Sequence, residues 1–296
     1  MANDDAPVRV GLVGSGAWAE RMTAPTLAAG PETVLAGVWS RSSVNAARLA
    51  ASFNVTAFER YQDLLKQCDA VAFAISPAAQ PDLAIEAAAA GKALLLEKPL
   101  ALDVEGAERL AQAVAEAGVG SMVVFTYRFA ASTREFLRQA AAFEVAGARG
   151  CFISPALTKG PFAASPWRQE EGCLFDLGPH LFDLMEVALG PIQKVSAAGD
   201  RNSWLSVTFE HQSGITSQAS LCGIADVKPR TELELFGRQG SLSLDARADD
   251  RAAMFALIRS EFAEVARGRG ALARHPLDVH RGLEIQRILA AVEAAL

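Results

Sequence analysis

Three short segments of this 296-residue sequence combine residue types and spacings that could do chemistry. Gly14-Ser15-Gly16-Ala17-Trp18-Ala19 carries the pattern G-x-G-x-x-A. Gly14 suits a tight turn, Gly16 a close backbone approach to a pyrophosphate, and Ala19 close helix–strand packing. A helix opening at Ala17 would offer unpaired N–H groups and the positive end of its dipole to an anion. In Glu97-Lys98-Pro99, proline restrains Lys98 to an extended conformation, and an ammonium near an oxidised nicotinamide or partly out of water can exchange a proton. In Asp176-Leu177-Gly178-Pro179-His180-Leu181-Phe182-Asp183, spacings of four and three residues put both carboxylates on one helix face with His180. An imidazole beside a carboxylate is suited to take the proton of an alcohol as hydride departs. Each segment also has a plain reading: Lys98 paired to Glu97, Asp176 as a helix cap, Asp183 paired to His180 or to an arginine.

The elements around these segments place them. Apolar runs at Val8–Val13, Val34–Trp39, Ala70–Ile75, Ala93–Leu96 and Gly120–Phe125 alternate with helical patterns near Ala17–Ala28, Val44–Phe53, Ala79–Ala90 and Val104–Ala117. Such alternation reads as an α/β Rossmann domain, a doubly wound parallel sheet buried on both faces. The glycine turn then lies at the first strand–helix junction, and Lys98 at the carboxyl end of the fourth strand, where ligands of open parallel sheets bind. At the end of the second strand the sequence reads Ser40-Arg41-Ser42, with no carboxylate for an adenosine ribose. These three residues suit a 2′-phosphate, which favours NADP over NAD. The competing reading leaves Arg41 as a solvated surface charge.

After Arg128 the texture changes. A helical stretch near Ser132–Ala142, a strand near Arg149–Leu157 and a helix near Gly178–Leu189 precede closely spaced strands at 192–198, 204–210, 215–221, 231–236 and 241–244. Turn segments at Gln212–Gly214 and Gly237–Gly240 imply hairpins, hence an α+β domain with an open, mostly antiparallel sheet. Helices near Asp250–Arg267 and Leu277–Ala295 close the chain. The expected division is a nucleotide-binding domain over 1–125 and a substrate-binding and oligomerisation domain over 126–296, with helix 277–295 able to pack back on the first.

Composition excludes other classes. The net charge is −6, with no basic run of the kind phosphate backbones need, so nucleic-acid binding is not expected. No apolar stretch reaches the ~18 residues of a membrane span. The acidic start Met1–Asp5 lacks the signature of a signal peptide, and the spacing of Cys68, Cys151, Cys173 and Cys222 forms neither a metal site nor a redox dithiol. The expectation is a cytoplasmic protein with inert thiols and no metal. Only six of the 28 basic residues are lysines, Lys92 and Lys98 among them.

Gly11–Ala19, Ser76-Pro77, Ala90-Gly91-Lys92 and Glu97-Lys98-Pro99-Leu100-Ala101, together with the Asp176–Asp183 string, resemble the Gfo/Idh/MocA oxidoreductase family. The resemblance spans nearly the whole chain. It implies an NAD(P)-dependent oxidoreductase acting on a hydroxyl or carbonyl carbon of a sugar, cyclitol or related diol. It implies Lys98, Asp176 and His180 as catalytic residues, and a Lys98–Pro99 peptide in the cis form. The cofactor would be held by Gly14, Ser15, Gly16, Ala17, Trp18, Ser40, Arg41, Ser42, Ser76, Pro77, Gln80, Glu97 and Lys98. Lys98, Tyr127, Arg128, Trp167, Asp176 and His180 would meet the substrate; Tyr127-Arg128-Phe129 is similar to a family Y-R-F step, with domain-interface packing as the other reading. Family members often carry a histidine where this chain has Gln80, and their glycine-rich lead-in to the Asp-His string is reduced here to Glu171–Phe175. The family also implies a homodimer or homotetramer through the second sheet. Two other activities occur on this fold and remain open at this level: a nucleotide-binding regulator without turnover, and redox-assisted glycoside cleavage.

Overall fold

The structure, a computed structural model, describes residues 6–268 and 275–296. Two compact units make up the chain: residues up to Val124 with Phe255–Leu283, and Phe125–Met254 with Glu284–Leu296.

The first unit is built on six parallel strands, β1 (Val8–Val13), β2 (Thr33–Trp39), β3 (Thr56–Ala57), β4 (Ala70–Phe73), β5 (Ala93–Leu96) and β6 (Ser121–Val123). Their order is β3-β2-β1-β4-β5-β6, which reverses direction between β1 and β4. All residues of β4, β5 and β6 are buried, as expected for strands covered by helices on both faces. The helix after β1 starts at residue 17 and takes a π-helical turn over Ala19–Thr23 before continuing as Ala24–Ala28. The helix Val104–Ala117 buries Ala107, Leu110, Ala111 and Val114, is capped by the Asp103 carboxylate and ends at Gly118 in a left-handed conformation. Strand β3 and the helix Tyr61–Gln67 lie outside the sequence-based assignment; a two-residue strand carries no readable alternation. The segment 255–283 is tied to this unit by a Val123 N–H to Leu277 carbonyl bond of 2.7 Å and an Arg259–Glu32 ion pair of 2.6 Å.

The second unit holds β7 (Val145–Ile153), β8 (Ile192–Gly199), β9 (Trp204–His211), β10 (Thr216–Cys222), β11 (Arg230–Gly237) and β12 (Gly240–Asp245), in the order β12-β11-β7-β10-β9-β8. Every neighbouring pair is antiparallel except β7 with β10. Along β9 exposed and buried residues alternate, so Leu205, Val207, Phe209 and His211 face inward. The helix Gly178–Leu189 packs against this inner face, burying Leu181, Phe182, Leu184 and Met185. Phe182 meets Phe209 edge to face with ring centroids 5.1 Å apart.

No helix among the described residues is long and apolar enough to cross a membrane. Cys68, Cys173 and Cys222 are buried, and burial pushes the Cys173 thiol up to about 12. Native protein at pH 8 should therefore leave Cys173 unmodified by iodoacetamide, since the thiolate is the reactive form; rapid alkylation mapped by mass spectrometry would contradict this burial. Phe209→Ala should lower unfolding stability by about 3–5 kcal/mol, the usual cost of emptying a fully buried aromatic site, as read by denaturant titration.

Candidate active site

In the first unit the glycine turn forms as its sequence requires. Gly14 has φ of +120°, and a side chain there would collide with the Ala74 carbonyl. Gly16 is exposed, with nothing within 4 Å of where its Cβ would stand. The open space over Gly16, next to a helix start, is the cradle a pyrophosphate needs, so these residues fit a dinucleotide.

The end of β2 is tied to this turn. Ser40 Oγ donates to the Ser42 carbonyl at 2.9 Å, which spends its one proton. Ser15 Oγ, 2.7 Å away, is therefore the donor to Ser40. Ser42 caps the helix Ser43–Ser52 by accepting from the Asn45 N–H at 3.3 Å. Arg41 is exposed. The serines thus shape the loop, and Arg41 is the group of the three that projects a charge into solvent.

The Glu97–Leu100 turn is held by two side chains from other segments. Gln80 is fully buried; its Nε2 donates to the carbonyls of Glu97 and Leu100 at 2.8 and 3.1 Å, and its Oε1 accepts the Glu97 N–H at 2.8 Å. Trp18 Nε1 donates to Glu97 Oε1 at 2.6 Å, linking the turn to the start of the first helix. Lys98 is buried at 8% exposure, and the Lys98–Pro99 peptide is cis. Gln80 and Trp18, expected at the cofactor, therefore use these polar atoms to fix the backbone and carboxylate on either side of Lys98. Ser76 is half-buried and Pro77 buried; the Ser76 carbonyl accepts the Gln80 N–H at 3.2 Å.

In the second unit Asp176 ends the helix Pro166–Asp176 instead of starting the next one. That helix is broken at Gly172, whose φ of +66° and ψ of −161° let the chain pass close to the Arg201 carbonyl. Cys173 N–H donates to the same carbonyl at 2.7 Å. One glycine of the reduced lead-in thus suffices to redirect the chain. The buried Asp176 carboxylate pairs with Arg168 at 3.3 Å, as an ion pair rather than an aligned hydrogen bond. Arg168 also lies over the rings of Trp167 and Phe162, 5.2 and 5.1 Å from their centroids.

Asp183, fully buried, receives both carboxylate contacts of Arg128 Nη1 at 3.1 Å. Arg128, expected at the substrate, is thus committed to a buried pair. His180 is half-buried against aromatic rings: Tyr127 edge-on at 5.2 Å and Phe152 at 6.2 Å. Burial pushes the Tyr127 hydroxyl up, partly offset by the Arg247 charge. Phe152, Thr231 and Arg247 belong to this cluster and carry no sequence motif. The other histidines with buried rings are structural: His211 bonds the Gly190 carbonyl and Ser217, and His275 bonds Glu261.

Residues 8–125 match the model of an oxidoreductase family with an NAD-binding Rossmann fold, and residues 152–243 match the GFO/IDH/MocA C-terminal domain. A protein named YceM of Salmonella typhimurium is 34% identical over 43% of this chain, a match spanning only 42% of that protein. A dTDP-3,4-didehydro-2,6-dideoxy-alpha-D-glucose 3-reductase of Streptomyces antibioticus is 29% identical, over 80% of this chain and 75% of its own. Among solved structures, GenD2 from gentamicin A biosynthesis in complex with NAD superposes with a TM-score of 0.86 at 22% identity, covering 98% of this chain and 94% of that one. UDP-N-acetylglucosamine 3-dehydrogenase GnnA from Acidithiobacillus ferrooxidans superposes at 0.84 and 21%, covering 98% and 97%. At these identities the superpositions establish the fold.

Arg128→Ala should cost about 3–5 kcal/mol in unfolding experiments, because it removes the ion-pair partner of a fully buried carboxylate. The double change Arg128→Met with Asp183→Leu should recover most of that loss. Equal stability of Arg128→Ala and the parent protein would show that the pair is not buried in solution.

Proposed function

Because this chain belongs to the Gfo/Idh/MocA oxidoreductase family, we propose that it is an NAD(P)-dependent dehydrogenase or reductase acting on a CH–OH or carbonyl carbon of a sugar, cyclitol or related diol. The observation that carries the reading is the buried Lys98, fixed on both sides by Gln80 and Trp18 beyond a glycine turn that fits a dinucleotide. Residues 1–125 serve the cofactor and 126–296 the substrate. The names of the similar proteins, which include a sugar 3-reductase and D-apiose dehydrogenase, support this substrate class.

The nicotinamide, when bound, supplies or accepts the hydride. The protein's own groups handle the proton. His180 acts as general acid and base, its imidazole exchanging the proton of the reacting hydroxyl. Lys98 holds that oxygen's charge as it develops and shares the proton, which an arginine could not release. Asp176, held by Arg168, orients the substrate or the imidazole. Tyr127 and Trp167 supply apolar ring faces for a sugar.

NADP is the preferred cofactor, on the support of Arg41 and the absence of a carboxylate at residues 40–42. The protein works in the cytoplasm as a homodimer or homotetramer through the second sheet, where Trp204 is 46% exposed on an outward-facing row. Sedimentation showing monomer at all concentrations would count against that assembly.

A panel of polyols, cyclitols and aldoses assayed with both cofactors tests the reaction. On a turned-over substrate, His180→Ala and Lys98→Ala should each lower kcat by about 10²–10⁴-fold, the usual contribution of a positioned acid–base group. Full turnover in either variant would overturn its role. Fluorescence titration should give tighter binding of NADPH than NADH, and Arg41→Ala should remove most of the difference. Tighter NADH binding by the parent protein would reverse the cofactor preference.

A further inference from the structure

Arg247 lies between β12 and the helix Arg251–Arg267, outside every motif of the sequence. It is exposed, yet its guanidinium is held from one side. The Cζ atom sits 5.0 Å from the Phe152 centroid and 5.7 Å from the Tyr127 centroid. Its Nε donates at 2.9 Å to Oγ1 of Thr231, a residue 1% exposed. The loop beneath is set by an Arg247 N–H bond to Asp245 at 2.9 Å and an Ala246 N–H bond to the Thr231 carbonyl at 2.9 Å. A guanidinium stacked on two rings and bonded through Nε is pre-oriented, and its Nη donors are not needed for that bond.

The guanidinium also stands apart from the ion pairs around it: the Asp245 carboxylate accepts the Arg247 backbone N–H, and the guanidinium's hydrogen bond goes to the neutral Thr231 hydroxyl. The two neighbouring arginines of the cluster differ: Arg128 is taken by Asp183 and Arg168 by Asp176. Arg251 adds positive field at the Tyr127 hydroxyl. Both rings that carry Arg247 also contact His180. A fixed cation one ring away from the acid–base imidazole is placed to grip a substrate at a point remote from the reacting carbon.

We propose that Arg247 is a specificity residue that binds an anionic oxygen group of the substrate, a carboxylate or a phosphoryl group, so that the preferred substrate is an acidic or phosphorylated sugar derivative. This deepens the oxidoreductase reading and rests on it for the word substrate. Bidentate geometry suits both oxyanions, and a guanidinium already fixed on aromatic faces loses little freedom on binding.

The test uses matched probes: D-glucose, D-glucuronate, D-glucose 6-phosphate and UDP-glucose, titrated calorimetrically into the parent protein, Arg247→Ala and Arg247→Lys. The parent should bind at least one anionic probe about tenfold more tightly than D-glucose, a factor of ten being a modest single contact. Arg247→Ala should abolish that preference, weakening the anionic probe far more than D-glucose, and Arg247→Lys should restore part of it. Which anionic probe binds distinguishes carboxylate from phosphoryl recognition. No preference in the parent, no binding of any probe, or a preference that survives Arg247→Ala overturns the proposal. Hydride transfer is followed separately by nicotinamide absorbance over the wider panel. Turnover of neutral sugars without anion preference removes the role of Arg247 and leaves the oxidoreductase; Arg247-dependent anion binding without any turnover removes the oxidoreductase and leaves the anion site.

Discussion

One buried amide holds the Lys98 turn in place. The segment from Glu97 to Leu100 leaves a parallel sheet, contains a proline and cannot continue a ladder, so its peptide groups need partners inside the protein. Gln80 supplies them, with two carbonyls and one N–H satisfied by a single side chain. An amide has both donors and an acceptor in one plane, whereas an imidazole at this position could not meet all three groups. Gln80 therefore serves to fix backbone and is not a residue that could exchange a proton. Trp18 adds the other constraint by holding the Glu97 carboxylate from the first helix. The glycine turn and the lysine turn are thus mechanically one piece, and Lys98 inherits its position from both.

The second unit solves a related problem with charge. Asp176 and Asp183 are both buried, and each has an arginine partner: Arg168, eight residues earlier in the same kinked helix, and Arg128, from the turn before it. Buried ion pairs contribute little net stability, because desolvation consumes much of the attraction. Their effect here is positional: Arg168 is held over Trp167 and Phe162, and the helix bearing His180 is pinned to the Tyr127–Phe129 turn. Arginine suits this use better than lysine, since its planar fork stacks on rings and bonds at the same time.

What could be read from the sequence follows the range of the interaction. The parallel sheet, the hairpin at Gly237–Gly240 and the helix Gly178–Leu189 depend on local periodicity and turn residues, and they form where the pattern puts them, whereas the strand read near Arg149–Leu157 forms at Val145–Ile153. The glycine turn was legible for the same reason. The partners of the site residues were not. Gln80 reaches residues 17 and 20 positions on, Arg128 reaches 55, and Arg247 meets Thr231 across 16. No spacing rule relates such pairs. Asp176 shows the limit most plainly: a spacing of four from His180 reads as one helix face, but the chain turns at Leu177, and the aspartate closes the preceding helix.

That displacement matters for how the His180 environment is understood. A carboxylate one turn before a histidine on a continuous helix would be fixed by that helix alone. Here Asp176 is carried by a separate short segment whose direction depends on Gly172, because only a residue without Cβ can pass the Arg201 carbonyl at φ of +66°. His180 is carried by the helix Gly178–Leu189, set by Phe182 and Leu181 in the sheet core. Aspartate and imidazole thus rest on different elements, one beside a glycine kink and an arginine, the other on core packing and the rings of Tyr127 and Phe152. In this unit the apolar core fixes the helix that carries His180, and the arginines Arg168 and Arg128 fix the aspartates that precede and follow it in the chain.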